Sequence, residues 1–330
     1  MRRLAVFGFF SIIVVLVFFP YWQFLTKTLK ISPFKSLFLL DSLKTYDNNV
    51  TILVLGIAGG NHDGATLSDS IIVANYNLKT HKLITISIPR DIWSDTLQDK
   101  INTAYAYGEA IQKNGGLKLA KAEVEAIVGI PIQYAMVIDF AKFKELVDLL
   151  GGIDIDVERS FTDNRFPVSG RENDDCNGDN EFKCRYETIT FKKGMNHLDG
   201  NTALKYVRSR YAVGAEGNDF ARNKRQQKVM NALKNKIKSS ILKFNLHTWQ
   251  KLYQTLDVTL TRDISNQQIA IIIKNILFSR DFSQKEISLS YNLFNVPPLD
   301  SHKGQYILMP KQGGFSEIHR YIKLEGRLTP

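Results

Sequence analysis

The 330-residue chain has only two cysteines, no internal repeat, no low-complexity tract, and no charged residue between Leu4 and Thr26. No glycine-rich nucleotide loop and no Ser-His-Asp arrangement stands out, so neither nucleotide-driven chemistry nor triad hydrolysis has a basis in the sequence. Two thiols without a nearby histidine make a poor metal centre. Cys176 and Cys184 stand eight apart in the acidic stretch RENDDCNGDNEFKCR, a spacing that suits a short disulfide in an oxidising compartment. Two unpaired loop thiols are the alternative.

The uncharged N-terminal run, LAVFGFFSIIVVLVFFPYWQFL, has about the ~20 residues needed to cross a hydrocarbon core, with Tyr21 and Trp22 at its far end. It lacks the small-residue pattern of a cleavable signal and is expected to remain as an anchor. Lysine and arginine are nearly balanced on its two flanks. The cysteine pair therefore carries the orientation: N-terminus cytoplasmic, single pass through the cell membrane, large domain outside. The net charge of +10 favours polyanionic partners. With the domain outside the cytoplasm, nucleic acid is a poor partner and anionic lipid or phosphorylated glycan a better one.

The expected organisation is an anchor over 1–26, a stalk over 27–48, a catalytic domain over 49–242 and a C-terminal extension over 243–330 packed on it. TILVLGI reads as a buried strand ending in the glycine turn AGGNHDG. NTAYAYGEAIQK and LKLAKAEVEAIVG read as helices, the second capped by Gly129. QYAMVIDF and IDIDV read as strands flanking the helix FAKFKELVDLL. Residues 159–190 read as a long polar loop. HLDGNTALKYVR and a basic helix from Asp219 follow, then two more helical patterns, a strand at KEISLSY and a terminal helix. Such alternation predicts an α/β fold, an α-β-α sandwich around a central mixed sheet, preceded by the transmembrane helix.

The segment SDSIIVANYNLKTHKLITISIPRDI places charge only at the ends of a predicted hairpin. With the turn at Leu78 to His81, Asp69 and Arg90 are equidistant from its centre and fall opposite each other. Taken alone this is a cross-strand ion pair at a sheet edge, worth at most ~1 kcal/mol. The chain also carries Arg208 and Arg210 in YVRSRY, and Asp219, Arg222, Arg225 and Gln226 in DFARNKRQ. On a helix, Asp219, Arg222 and Gln226 share one face. Arginine forks match phosphate oxygens, and a carboxylate among them makes sense if a divalent cation, Mg2+ by preference, bridges it to the same phosphates. His62, His81 and His197 sit in turn-like segments and read as surface residues.

In order, SDSIIV, ITISIPRD, KINTAYAYG, LVDLLGGIDIDV, GMNHLDGNTALKYVRSR and GNDFARNKRQQ resemble the LytR-CpsA-Psr family of cell-envelope proteins over roughly residues 50 to 235. The resemblance implies a membrane-anchored phosphotransferase that moves a glycopolymer from a polyprenyl phosphate or pyrophosphate carrier to peptidoglycan or a related wall acceptor. It implies Asp69 as the Mg2+ ligand, and Arg90 and Lys100 as pyrophosphate contacts. It further implies that Arg208, Arg210, Arg222, Arg225 and Gln226 form the phosphate clamp, and that Asp219 is the acid that organises the clamp or assists proton transfer. The lipid portion of the substrate needs an apolar tunnel, for which AYAYGEAI and FKELVDLLGG are candidates, although any core helix looks the same. The sequence departs from the family where Ala58 replaces an aspartate and Leu67 replaces an arginine. Asp63 is either a substitute metal ligand or an ordinary turn residue. A polyprenyl-pyrophosphate hydrolase and a non-catalytic polyprenyl-phosphate-binding protein are the rival readings.

Overall fold

The computed structural model describes residues 18–33, 43–60, 64–168, 170–171, 173–240, 246–279, 281–302 and 304–326. Most of the predicted membrane span and the candidate ligand Asp63 lie outside these residues. Among the described residues, no helix is long and apolar enough to cross a membrane. The chain forms two compact units. The first comprises residues 1–58, 66–138 and 260–330, and the second 59–65 and 139–259.

The first unit is built on a six-stranded sheet. Its strands are β1 (Asn49–Ile57), β2 (Ser68–Asn77), β3 (Lys82–Ile88), β6 (Tyr134–Asp139), β11 (Leu260–Arg262) and β12 (Ser283–Ser288), in the order β11-β6-β1-β2-β3-β12. Two two-residue strands, β4 (Trp93–Ser94) and β5 (Asp99–Lys100), form a separate ribbon. The β1–β2 and β2–β3 pairs are antiparallel and β3–β12 is parallel, so the sheet is mixed. Side chains alternate between its faces. Leu53, Leu55, Ile71, Val73, Ile86 and Ile88 enter one core, with residues of α1 (Ala104–Ile111), α2 (Gly115–Val128) and α8 (Ser316–Gly326). Val50 and Tyr76 enter another, with Ile271 and Ile272 of α7 (Asn266–Phe278). Helices thus cover both faces, as the alternating pattern predicts. Gly129, in the left-handed region at φ +67°, ends α2 where the sequence places its cap.

The second unit gathers α3 (Phe140–Leu149), α4 (Gly200–Arg208), α5 (Asp219–Ser240) and α6 (Leu246–Thr259). Two antiparallel ribbons complete it: β7 (Ile153–Val157) with β10 (Gly194–Leu198), and β8 (Phe161–Pro167) with β9 (Tyr186–Phe191). Residues 159–190 are therefore not one loop. Phe161, Phe166, Ile189 and Phe191 of β8 and β9 lie in the unit's core, and the polar run between them is the connection. That connection carries the Cys176–Cys184 disulfide, so the predicted pairing is present. The expected division at residue 242 falls inside the second unit. Strands β11 and β12 of the supposed extension complete the two edges of the sheet.

Gly59, directly after Ala58, has φ +66°, and a Cβ there would fall 1.7 Å from Oδ1 of Asp139. That carboxylate accepts hydrogen bonds from the Ala141 and Lys142 backbone N–H groups and caps α3. Only glycine serves at this position, which explains why the turn is spelled AGG.

Candidate functional site

The β2–β3 register pairs Ile71 with Ile88 and Tyr76 with Leu83. Extended beyond Ile71, it sets Asp69 opposite Arg90, as the charge symmetry of the segment predicts. The two side chains form an ion pair, Arg90 Nη1 with Asp69 Oδ1. Asp91, which the sequence reading passed over, continues the series: its Oδ2 lies 3.6 Å from Arg90 Nε and its Oδ1 3.1 Å from Lys100 Nζ. Asp69, Arg90, Asp91 and Lys100 thus alternate in sign along one edge of the first unit. All four are only partly exposed, which strengthens their mutual field relative to a fully solvated cluster.

Lys100 is held from behind. β5 pairs with β4 so that Lys100 faces Trp93. Ser94 Oγ donates to the buried Glu123 on α2 at 2.6 Å and accepts from Leu97 N–H at 3.0 Å. Asn102, also buried, donates its backbone N–H to the Arg90 carbonyl at 3.3 Å. Its Oδ1 has no hydrogen-bond partner among the described residues.

In the second unit the structure separates the predicted arginines by role. Arg225 is buried. Its Nε donates to Tyr206 O at 3.0 Å, its Nη1 to the backbone and side chain of Glu216, and its Nη2 to Ser209 O at 2.6 Å. The guanidinium also lies 4.9 Å above the Phe161 ring. Burial lowers its pKa, an effect Glu216 partly offsets, and an arginine stays charged throughout. Four of its five N–H donors are engaged by the protein itself, which gives Arg225 a structural part in this unit. Tyr206, packed in the same core, has its phenol pushed up to about 12 by burial.

Arg208 ends α4 and Arg210 follows Ser209; both arginines are half-buried. The turn they flank is fixed by Asp163, a fully buried carboxylate on β8. Its Oδ2 accepts from Ser209 Oγ (2.7 Å), Arg210 N–H (3.1 Å) and Tyr211 N–H (3.1 Å), and its Oδ1 from Arg165 N–H (3.0 Å). Within FTDNRFP nothing distinguishes this aspartate from a solvated one, so sequence reasoning missed it. Arg222 is buried on α5 and Gln226 half-buried, while Lys224 is exposed, so the helix presents its residues as the 100° spacing predicts. The backbone at Asp219 opens α5; its side chain is outside the described set.

Lys224 and Lys228 reach instead to Glu158, at 2.6 and 2.8 Å. Their hydrogen bonds lower the Glu158 carboxyl to about 2. A depressed carboxylate pKa stabilises the fold above the unfolded value and loses that contribution as pH falls through the folded one. Glu158→Gln should therefore lower stability at neutral pH and converge with the unaltered chain below about pH 2. Acid titration of both proteins by circular dichroism checks this, and parallel curves throughout would contradict it.

The predicted tunnel helices use their apolar faces in the cores: Ala104 and Tyr105 of α1 in the first unit, Phe143, Leu146 and Val147 of α3 in the second. His81 bonds to Tyr76 Oη at 3.0 Å, and the exposed His197 to Asp154 at 2.7 Å, consistent with surface roles. Among the described residues, the one cluster of three metal-capable side chains is Asp174, Cys176 and Cys184, and both of its sulfurs are consumed in the disulfide.

The LytR_cpsA_psr family profile matches residues 27–314. The chain belongs to this family. It is 32% identical over 231 residues to a Bacillus cereus protein named polyisoprenyl-teichoic acid–peptidoglycan teichoic acid transferase TagU, covering 68% of this chain and 64% of that one. It is 33% identical over 196 residues to the Staphylococcus aureus regulatory protein MsrR, covering 58% and 50%. The chain thus spans less than two thirds of the length of these curated relatives. Among solved structures, B. subtilis TagV matches with a TM-score of 0.54 at 26% identity, over 87% of this chain and all of the other. The shared fold is an α/β architecture with a central mixed sheet, as the sequence predicts.

Proposed function

We propose that this chain is a glycopolymer transferase: it moves a teichoic-acid-like polymer from a polyprenyl phosphate or pyrophosphate carrier to peptidoglycan, at the outer face of the membrane. The observation that carries the reading is the pairing of Asp69 with Arg90 at the end of the hairpin, beside Lys100, in a chain of this family. The relative's name supplies the polymer class. The N-terminal apolar run supplies the anchor, with the large domain extracytoplasmic.

With a pyrophosphate carrier, an acceptor sugar hydroxyl attacks the glycan-proximal phosphorus. A P–O bond forms to the acceptor, the P–O–P bond breaks, and polyprenyl phosphate leaves with the bonding pair. Such transfer needs positioning and charge neutralisation more than a covalent nucleophile. In the first unit Arg90 and Lys100 are donors for phosphate oxygens; in the second, the family resemblance assigns that role to Arg208, Arg210, Arg222 and Gln226. Asp219 is the carboxylate that the family resemblance assigns to organising these donors or taking the hydroxyl proton.

Asp69 also fits a magnesium ion, which binds through one or two carboxylates plus substrate oxygens. Ala58 offers no second carboxylate, so substrate phosphate oxygens and water would complete the ligation of an ion held by Asp69. When bound, Mg2+ would neutralise phosphate charge and polarise the scissile bond. Ala58 and Leu67, which remove two polar groups from the family pattern, are what favour the rival reading of a non-catalytic polyprenyl-phosphate binder.

Changing Arg208 and Arg210 together to alanine tests the phosphate assignment. Each lost charge-assisted contact is worth about 1.5–3 kcal/mol, so with two lost, affinity for a polyprenyl phosphate should fall at least ~100-fold. The fold should survive, because Asp163 still holds the turn through Ser209. Unchanged lipid affinity in the folded variant would place the headgroup elsewhere.

A further inference from the structure

The two ends of the β2–β3 hairpin differ in chemistry. One end carries Asp69 and Arg90; the other, at the turn, carries exposed Lys79. The chain also enters the sheet at the turn end: β1 starts at Asn49, opposite Asn77, and Leu78 N–H donates to Asn48 O at 2.9 Å. Just upstream, Lys44 and Tyr46 are exposed.

α7 packs over this end of the sheet, sharing a core with Val50, Tyr76 and Leu83. Its far tip is uncovered: Leu277 is 72% and Phe278 82% exposed, and Phe282 follows them at 40%. These residues adjoin the hairpin turn, because Ser283 pairs with Lys82 and its N–H donates to His81 O at 3.3 Å. The start of α7 is tied to the segment leading out of the apolar N-terminus. Asn266 Nδ2 donates to Leu29 O at 2.9 Å, and Gln267 Oε1 accepts from Ser32 N–H at 2.6 Å.

We propose that this end of the first unit is a second membrane contact, docking on anionic lipid headgroups through Leu277, Phe278 and Phe282 with Lys44 and Lys79 around them. Three features select a bilayer as the occupant. The segment that follows the apolar N-terminal run is hydrogen-bonded to the same helix. The exposed apolar side chains are large and fall within six consecutive positions, Leu277 to Phe282. The nearby exposed charges are mixed, Lys44 and Lys79 against Asp47 and Asp281, and the exposed Lys27 and Lys30 of the N-terminal segment tip the balance to positive, complementary to acidic headgroups. The eight steps from Asn77 to Asp69 rise ~3.3 Å each along β2. The phosphate-facing edge therefore stands roughly 26 Å along the strand from the docked end. The inference rests on the anchored orientation proposed above.

The test uses the full chain in nanodiscs. Both native cysteines are in the disulfide, so single cysteines introduced by Phe278→Cys, Ile111→Cys and Val14→Cys can each carry a spin label. Ile111 is 81% exposed on α1 and serves as the aqueous control. In discs containing phosphatidylglycerol, labels at 14 and 278 should show a several-fold higher ratio of oxygen to nickel-chelate accessibility than the label at 111. The ratio at 278 should drop in zwitterionic discs while that at 14 stays high. A lipid-like 14 with a water-like 278 overturns the docking surface and spares the anchor. A water-like 14 overturns both. A label at 278 shielded from both reagents means that protein covers the patch, and it overturns the proposal as well.

Discussion

Asp69→Asn should cut transferase turnover roughly 10²–10³-fold, in line with the loss of one preorganised electrostatic group from a reacting site. Stability should barely change. The Asp69–Arg90 pair is partly exposed, at 27% and 22% of the two side chains, and such pairs are worth about 1 kcal/mol or less. Asparagine keeps the size and some hydrogen bonding of aspartate but removes the charge that attracts a hard cation. Affinity for the lipid carrier should therefore fall much less than turnover, since the arginines and Lys100 remain. The measurement is magnesium-dependent release of polyprenyl phosphate by both proteins at saturating carrier. Equal rates would reduce Asp69 to a sheet-edge ion-pair partner and remove it from the site.

Arg225→Met should instead unfold part of the second unit. The methionine roughly keeps the apolar stem but leaves the Tyr206 and Ser209 carbonyls without their donor and Glu216 without its cation. Removing one partner of a buried charged network costs about 3–5 kcal/mol, a large share of the ~5–15 kcal/mol by which a typical domain is stable. With two compact units, a single global midpoint is a poor readout. Hydrogen exchange is the better one: amides of α4 and of the β8–β9 ribbon should lose protection, while those of β1 and β2 keep it. Arg225→Lys should recover little, because one ammonium cannot span the Tyr206, Ser209 and Glu216 acceptors as the planar fork does. Intact protection combined with lost headgroup binding would return Arg225 to the phosphate clamp.

The contrast between these two residues shows where the sequence is readable and where it is not. Asp69 and Arg90 could be paired in advance because a hairpin's register is a local property. Its turn, its uncharged strands and its two end charges lie within 25 residues. The helix ending at Gly129 was legible for the same reason. Arg225 was not, because helical spacing says which residues share a face but not whether that face meets solvent or core. β8 and β9 were hidden as well. The polar Asp163-Asn164-Arg165 interrupts β8 at its irregularity, and the apolar residues that define the ribbon are separated by the whole cysteine loop. Asp163 became meaningful only when tertiary structure brought it to the 209–211 backbone. The domain boundary failed for a topological reason: three-residue β11 and edge strand β12 join the sheet from more than 120 residues beyond β6, a pairing no local pattern encodes.

The central claim is transfer, as distinct from hydrolysis or binding. The most direct measurement incubates the full chain in liposomes with Mg2+ and a polyprenyl-pyrophosphate-linked teichoic acid, with and without peptidoglycan, and follows released polyprenyl phosphate together with polymer joined to the wall glycan. The account predicts that release depends on the acceptor and matches, mole for mole, new phosphodiester linkages on peptidoglycan. Equal release without acceptor would identify a hydrolase, and tight carrier binding with no release under either condition would identify a binding protein; either result would contradict the account.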